Sequence, residues 1–290
     1  MKCKKKIKNQ IQPNYSGLSG ITIEAILKRL TVLGVNLGYF ENPVQYSATE
    51  VIFTYPERYG LWGTAGFISQ VVADAQAIVA KGLNPVITLE PYKDLLTNPL
   101  PEITGGTIDG FLTNLFNGIN AVAPNAIIRP MHEMETNQAR YPWAFKPSID
   151  YINAWIHLYN LNDGLSNNLK FLWSPAGDPL APYYYPGDAY VDYVGFSLYE
   201  TPTEVDLVWY GEDRQFVNEF VRKMLLLVPN KQVILPEVGI AGSNMAEKAQ
   251  ILKLLTDTIE IAWLNRIVSI NFFNTYETIP AFSYLDYRLQ

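Results

Sequence analysis

Ile127-Ile128-Arg129-Pro130-Met131-His132-Glu133-Met134 begins as an apolar run of the kind found in a strand buried on both faces, and it closes on a histidine and a glutamate. Arg129 interrupts the apolar run. A guanidinium is expensive to bury without an opposite charge, so a carboxylate is expected beside it. Arg129 shares strand parity with Glu133, which allows both side chains to point into one space. A second stretch has the same design: Gln232-Val233-Ile234-Leu235-Pro236-Glu237-Val238-Gly239 runs from a buried strand into Glu237.

Working outward from these two stretches, six further apolar or β-branched runs read as strands: Val32 to Tyr39, Val51 to Thr54, Pro85 to Leu89, Lys170 to Trp173, Val191 to Leu198 and Ile267 to Phe273. With Ala126 to Met131 and Gln232 to Leu235 the total is eight. Helical periodicity fills the intervals at Gly66 to Lys81, Ile108 to Val122, Ile149 to Leu161, Arg214 to Leu227 and Met245 to Leu264. Continuously apolar strands alternating with helices imply a parallel sheet covered on both faces, and eight of them imply an α/β fold of the (β/α)8 TIM-barrel type. An open doubly wound sheet is the alternative, but no Gly-x-Gly-x-x-Gly follows a strand and no Walker loop occurs. The reading gives a basic tail over 1–20 and one barrel domain over 21–290.

Composition narrows the partners. The chain has 290 residues, 48% of them hydrophobic and 17% charged, with a formal charge of −6. Five lysines, Lys2, Lys4, Lys5, Lys6 and Lys8, lie in the first eight residues, so the remainder carries −6 − 5 = −11. So acidic a body repels phosphate backbones, and nucleic acid is not an expected partner. The apolar run that a signal peptide requires does not follow the lysines. Ile21 to Val35 is interrupted by Glu24, Lys28 and Arg29 and is too short to span a bilayer. Neither a membrane partner nor a compartment is therefore assigned, and a monomer is expected. Cys3 is the only cysteine, which excludes an internal disulfide and a cysteine-rich zinc site.

In a parallel barrel, functional groups gather at the carboxyl ends of the strands. Five strands here end in such groups: Thr88-Leu89-Glu90-Pro91-Tyr92, His132-Glu133, Trp173-Ser174-Pro175, Ser197-Leu198-Tyr199-Glu200 and Pro236-Glu237. Any one glutamate after a strand is ordinarily a solvated loop residue; several on one rim, with Arg129 among them, are not. Arg129 between two glutamates would hold one ionised while burial raises the pKa of the other, which yields a nucleophile and an acid. A His-based metal or serine mechanism lacks its parts. The second histidine, His157, lies in a helix, and neither His-Glu-x-x-His nor Gly-x-Ser-x-Gly occurs. No metal and no cofactor are expected. Aromatic residues at strand ends and rim loops, Tyr39, Trp62, Tyr92, Tyr141, Trp143, Trp173, Tyr199 and Phe273, are candidates for stacking on sugar faces.

Arg129-Pro-Met-His-Glu-Met134, Tyr141-Pro-Trp143, Leu172-Trp-Ser-Pro175, Tyr185-Pro-Gly-Asp-Ala-Tyr-Val-Asp-Tyr-Val-Gly195 and Pro236-Glu-Val-Gly239, in this order and spacing, resemble glycoside hydrolase family 26. The resemblance extends from about Gly34 to Asp286-Tyr-Arg288. It implies a retaining β-glycanase with Glu133 as acid/base, Glu237 as nucleophile, and Arg129, His132 and Tyr199 in support. It further implies that Trp173 and Phe273 wall a sugar subsite; together with the rim residues Tyr39, Glu90, Tyr92, Arg140, Tyr141, Trp143 and Ser197 they are expected to line the substrate cleft, with a polysaccharide or oligosaccharide as partner. Two departures bear on the sugar. Met134-Glu-Thr-Asn-Gln-Ala-Arg140 is longer than the family pattern and puts Arg140 where a Trp is expected, and Ser197 stands where mannan-cleaving members often carry Asp. The resemblance therefore favours a β-glucan or a bacterial exopolysaccharide over mannan. A transglycosylase would use the same residues, and a non-catalytic carbohydrate binder would have no need of both glutamates.

Overall fold

A computed structural model describes residues 22–39, 48–52, 65–91, 96–136, 141–200, 216–227, 230–241, 244–273, 276–279 and 282–286. Eight parallel strands close on themselves: β1 (Asn36–Tyr39), β2 (Ala48–Ile52), β3 (Pro85–Leu89), β4 (Ile127–Pro130), β5 (Lys170–Trp173), β6 (Tyr193–Glu200), β7 (Gln232–Ile240) and β8 (Ile267–Phe272). Closure is made by β1 on β8, from Asn36 opposite Ser269 to Tyr39 opposite Phe272. The helices are α1 (Ile23–Val32), α2 (Ala65–Val79), α3 (Leu100–Thr104), α4 (Asp109–Val122), α5 (Ser148–Gly164), α6 (Phe216–Leu227) and α7 (Met245–Ala262). A hairpin of β9 (Tyr276–Ile279) and β10 (Phe282–Asp286) follows.

The helices form where apolar spacing and end signals agree. α4 buries Leu112, Leu115, Phe116 and Ile119 along one face, and each fully buried side chain of this size contributes about 1.5–3 kcal/mol. α7 starts at Asn244, whose side chain accepts from the N–H groups of Ala246 and Glu247, a normal way of satisfying the first turn. Behind the seam where β1 meets β8, α1 is clasped to α7 by Arg29, which pairs with Asp257 at 3.2 Å and with Glu260.

Inside the barrel, Val86, Ile127, Leu172 and Ile234, with Tyr193 and Val268 against them, form an apolar plug separate from the large core between strands and helices. Strand parity then dictates what lies above the plug. Two residues along β3, β4 and β5 come Thr88, Arg129 and Ser174; along β6 come Gly195, Ser197 and Tyr199.

Strand β7 reaches this layer by a different route. Gly195 lies opposite Ile234 and Ser197 opposite Glu237, so β7 spends three residues where β6 spends two. This bulge at Leu235-Pro236 moves Glu237 from the outer parity to the inner one. Proline, with no N–H to leave unpaired, suits the bulge. The approach is so close that a Cβ on Gly195 would stand 2.1 Å from the Ile234 carbonyl oxygen.

The closed parallel barrel of the sequence reading is the fold found. Its boundaries differ at two informative places. Val32 ends α1 and is 78% exposed, so β1 starts only at Asn36 after the turn at Gly34, whose φ is 86°. β7 continues through Glu237 to Ile240, so this glutamate is in a strand and not after one. The expected tail over 1–20 lies outside the described residues. No described helix is long and apolar enough to cross a membrane.

Gly195→Ala should destabilise the chain by roughly 1–3 kcal/mol or more in urea unfolding, because the added methyl meets backbone that cannot yield. An unchanged unfolding midpoint would contradict this account of the bulge.

Candidate active site

Arg129 sits at the centre of the polar layer and is fully buried. Its Nη1 donates to Glu237 Oε1 at 2.5 Å and to Thr88 Oγ1 at 3.4 Å, its Nε to Ser174 Oγ at 3.0 Å, and its Nη2 to Ser197 Oγ at 3.4 Å. Four strands thus present partners to one guanidinium. The other oxygen of Glu237 accepts from the Tyr199 hydroxyl at 2.5 Å. With both oxygens engaged, one by a guanidinium and one by a hydroxyl, the Glu237 side chain has a fixed orientation.

Glu133 comes to the same place from a turn. Chain geometry breaks after Pro130: Met131 and Glu133 have φ of 49° and 52°, in the left-handed region that non-glycine residues enter only when their surroundings hold them there. The hold is visible. The Glu133 N–H donates to the Ser174 carbonyl at 2.9 Å, the Thr136 hydroxyl to the Glu133 carbonyl at 2.9 Å, and the Trp143 indole to the His132 carbonyl at 2.8 Å. Glu133 Oε1 then accepts from Ser197 Oγ at 2.6 Å. Ser197 is therefore a hinge between the two carboxylates, donating to Glu133 while accepting from the arginine that holds Glu237. Glu133 is half-buried and Glu237 is 8% exposed.

His132, next to Glu133 on the turn, is buried, with Nε2 3.1 Å from the Tyr141 hydroxyl and 3.5 Å from Glu90 Oε1. Tyr141 stacks on Trp143 with centroids 4.9 Å apart and planes 20° from parallel. Phe273 meets Tyr199 edge-on at 5.5 Å.

The expected residues thus fall into three groups. Arg129, Glu133, Ser197, Tyr199 and Glu237 form one hydrogen-bonded cluster, and His132, Glu90 and Tyr141 form a second beside it. Trp143 is 0% exposed and Trp173 1%, the latter with its ring edge-on to Tyr185 at 5.0 Å. Both are packed as supports, with no face open to a sugar in this structure; Trp173 takes the outer parity because Leu172 takes the inner. Trp62, Tyr92, Arg140 and the side chain of Tyr39 lie outside the described residues. His157 is on α5, 2.7 Å from Asp109, away from the cluster. Among the described residues no group of three or more His, Cys, Asp or Glu is placed to hold a metal.

Sequence reasoning assigned no role to Thr88 or Ser174, although parity alone puts them beside Arg129. It also gave none to Glu135, which is 1% exposed and accepts through Oε1 from the N–H groups of Gly177 at 2.7 Å and Asp178 at 3.1 Å. Burial pushes the Glu135 carboxyl up to about 7, with the charge of Glu133 adding to the rise and the backbone hydrogen bonds opposing it. No periodic pattern reaches across the left-handed turn, so the sequence carries no parity signal for Glu135.

The family model for glycosyl hydrolase family 26 matches residues 92–233. Endoglucanase H of Acetivibrio thermocellus is 29% identical over 187 residues, covering 59% of this chain. The chain spans only 20% of the length of that relative. Among solved structures, a GH26 β-mannanase from Bacteroides ovatus superposes with a TM-score of 0.57 at 13% identity, over 86% of this chain and 84% of its own. A β-mannanase from a symbiotic protist of the termite Reticulitermes speratus, complexed with gluco-manno-oligosaccharide, gives 0.57 at 16% identity, over 87% and 83%. At these identities the likeness to the two structures is one of fold.

Two outcomes test the electrostatics of the cluster. Arg129→Met leaves a buried carboxylate without its cation and should cost about 3–5 kcal/mol of stability in urea unfolding; a loss under about 1 kcal/mol would contradict the central place given to the ion pair. For Glu135, a folded-state pKa near 7 against an ordinary 4.5 means that the folded chain keeps a proton the unfolded chain releases. Its contribution to stability is then fully present below the ordinary range and is lost as pH rises through about 7. The Tm of the parent should therefore fall relative to Glu135→Gln over that interval, and parallel Tm profiles would contradict it.

Proposed function

The chain belongs to glycoside hydrolase family 26, and from that premise we propose that it is a retaining endo-β-glycanase in which Glu237 is the nucleophile and Glu133 the acid/base. The observation that carries this reading is the linkage Glu237–Arg129–Ser197–Glu133, which engages the two carboxylates in unlike ways. Glu237 bears the guanidinium and the Tyr199 hydroxyl, which suits a group that must be anionic to attack. Glu133 meets a neutral hydroxyl and stands more open, which suits a group that exchanges protons with substrate and water.

In the first step a Glu237 oxygen bonds to the anomeric carbon as the glycosidic C–O bond breaks, and the Glu133 proton passes to the departing oxygen. In the second, the Glu133 carboxylate takes a proton from water, the water oxygen bonds to the anomeric carbon, and Glu237 leaves as a carboxylate. Retention by this route needs carboxyl groups about 5–5.5 Å apart, close enough for direct attack. Arg129, Thr88, Ser174 and Tyr199 keep Glu237 in place across both steps. His132, held by Tyr141 and Glu90, supports the turn that carries Glu133.

For the substrate, we favour a β-linked glucan or a bacterial exopolysaccharide over mannan. The sequence relative bears the name of an endoglucanase, and Ser197, here committed to Arg129 and Glu133, replaces the Asp common in mannan-cleaving members.

A panel of β-glucans, mannans and xylans with linkage analysis of the products tests this reading. Oligosaccharides released internally from a β-glucan or exopolysaccharide, with slower release from mannan, are expected. Failure to cleave any β-linked polysaccharide would overturn it. Glu237→Ala should lose activity by about 10⁴-fold or more on every substrate, since nothing else supplies the attacking oxygen. Glu133→Ala should keep the first step on aryl glycosides with activated leaving groups, which need little protonation; equal loss on all substrates would contradict its acid role.

A further inference from the structure

Glu135 is a buried carboxyl two residues beyond the proposed acid/base, and the mechanism above makes no use of it. Only one of its oxygens is satisfied. Oε1 takes two backbone N–H groups, while Oε2, and the hydroxyl of Tyr151 on α5, have no hydrogen-bond partner among the described residues. A half-satisfied carboxyl in the interior is costly, so a side chain kept there for packing alone would be better apolar.

What the satisfied oxygen holds is informative. Gly177 has a φ of 100°, and a Cβ on it would stand 2.6 Å from Lys223 Cε. Lys223 on α6 is buried and donates from Nζ to the Ser197 carbonyl at 2.8 Å. Beside it, Arg222 donates from Nη2 to the Gly177 carbonyl at 2.8 Å while pairing with Glu219. The contacts therefore close into a ring. Glu135 holds the Gly177 N–H, Gly177 packs on Lys223, Lys223 fixes the Ser197 backbone, and the Ser197 hydroxyl donates to Glu133. A second tie, the Glu133 N–H to the Ser174 carbonyl, spans the same two loops at their base.

Resting on the assignment of Glu133 as acid/base, we propose that Glu135 is a positioning residue for it: its carboxyl pins the loop after β5 to the loop after β4, and so keeps Glu133 at its hydrogen bond with Ser197. The two carboxyls are also coupled in charge, because the charge of Glu133 raises the Glu135 pKa and the effect is mutual. Among the described residues the other groups facing Glu135 are the Tyr151 and Tyr184 phenols, both raised by burial and then by its charge, together with Asp178 at the pinned loop and Arg222 and Lys223 behind Gly177.

The test compares Glu135→Ala, Glu135→Gln and the parent chain on a polysaccharide the parent cleaves and on an aryl glycoside with an activated leaving group, with far-ultraviolet circular dichroism to verify folding. Glu135→Ala should lose about tenfold or more in kcat on the polysaccharide with little change in KM and a smaller loss on the aryl glycoside. Glu135→Gln, which keeps an acceptor for both N–H groups, should recover most of the loss at a pH well below 7, where the parent carboxyl is neutral as well. Equal losses on the two substrates, or an Ala variant as active as the parent, would overturn the proposal. A titration of carbon-13-labelled glutamate carboxyls in the parent and Glu133→Gln chains reads the coupling without turnover: the Glu135 titration should move down in the variant, and an unmoved one would overturn the coupling. If the parent cleaves nothing, the glycosidase reading fails, and the titration still decides whether the two carboxyls are coupled.

Discussion

The site depends on one buried cation. Arg129 is wholly out of water, in a layer otherwise made of hydroxyls and a carboxylate, and its charge is tolerable because Glu237 meets it at 2.5 Å and the hydroxyls of Thr88, Ser174 and Ser197 take three more of its donors. The same dependence runs backward into the fold. Thr88 and Ser174 are inward because of plain strand parity, whereas Glu237 is inward only because β7 carries an extra residue at the Leu235-Pro236 bulge. That bulge requires a glycine at 195. A backbone feature with no chemistry of its own thereby decides which way the proposed nucleophile points.

The two glutamates are held by different means, and the difference fits their proposed work. Glu237 is part of a strand, with two oxygens fixed by Arg129 and Tyr199. Glu133 sits on a left-handed turn, held by backbone bonds to the neighbouring loop and by Trp143 beneath. A nucleophile benefits from rigidity, and an acid/base that serves first the leaving group and then water benefits from a more open position. Glu135 and α6 extend that support outward, through Gly177 and Lys223 to Ser197.

The barrel was legible in the sequence because its strands are continuously apolar and its helices periodic, as at β3 and α4, where packing and local preference agree. The pairing of Arg129 with a carboxylate was legible from the expense of burying it. Less visible were features that break a period. The bulge that turns Glu237 inward, the left-handed turn that hides Glu135, and the burial of Trp143 and Trp173 each depend on tertiary contacts that no run of residues encodes locally. Aromatic residues near strand ends were expected to stack on sugars; in these two the indole is a support, for the His132 carbonyl in one case and against Tyr185 in the other.

The central claim is that Glu237 attacks the anomeric carbon and Glu133 manages the protons, in two displacements. Proton NMR of the products during the first minutes of cleavage, before mutarotation, tests it most directly. Newly formed reducing ends should appear first as the β-anomer, the configuration of the bond that was broken. First appearance of the α-anomer would mean a single displacement by water and would contradict the roles given to both glutamates.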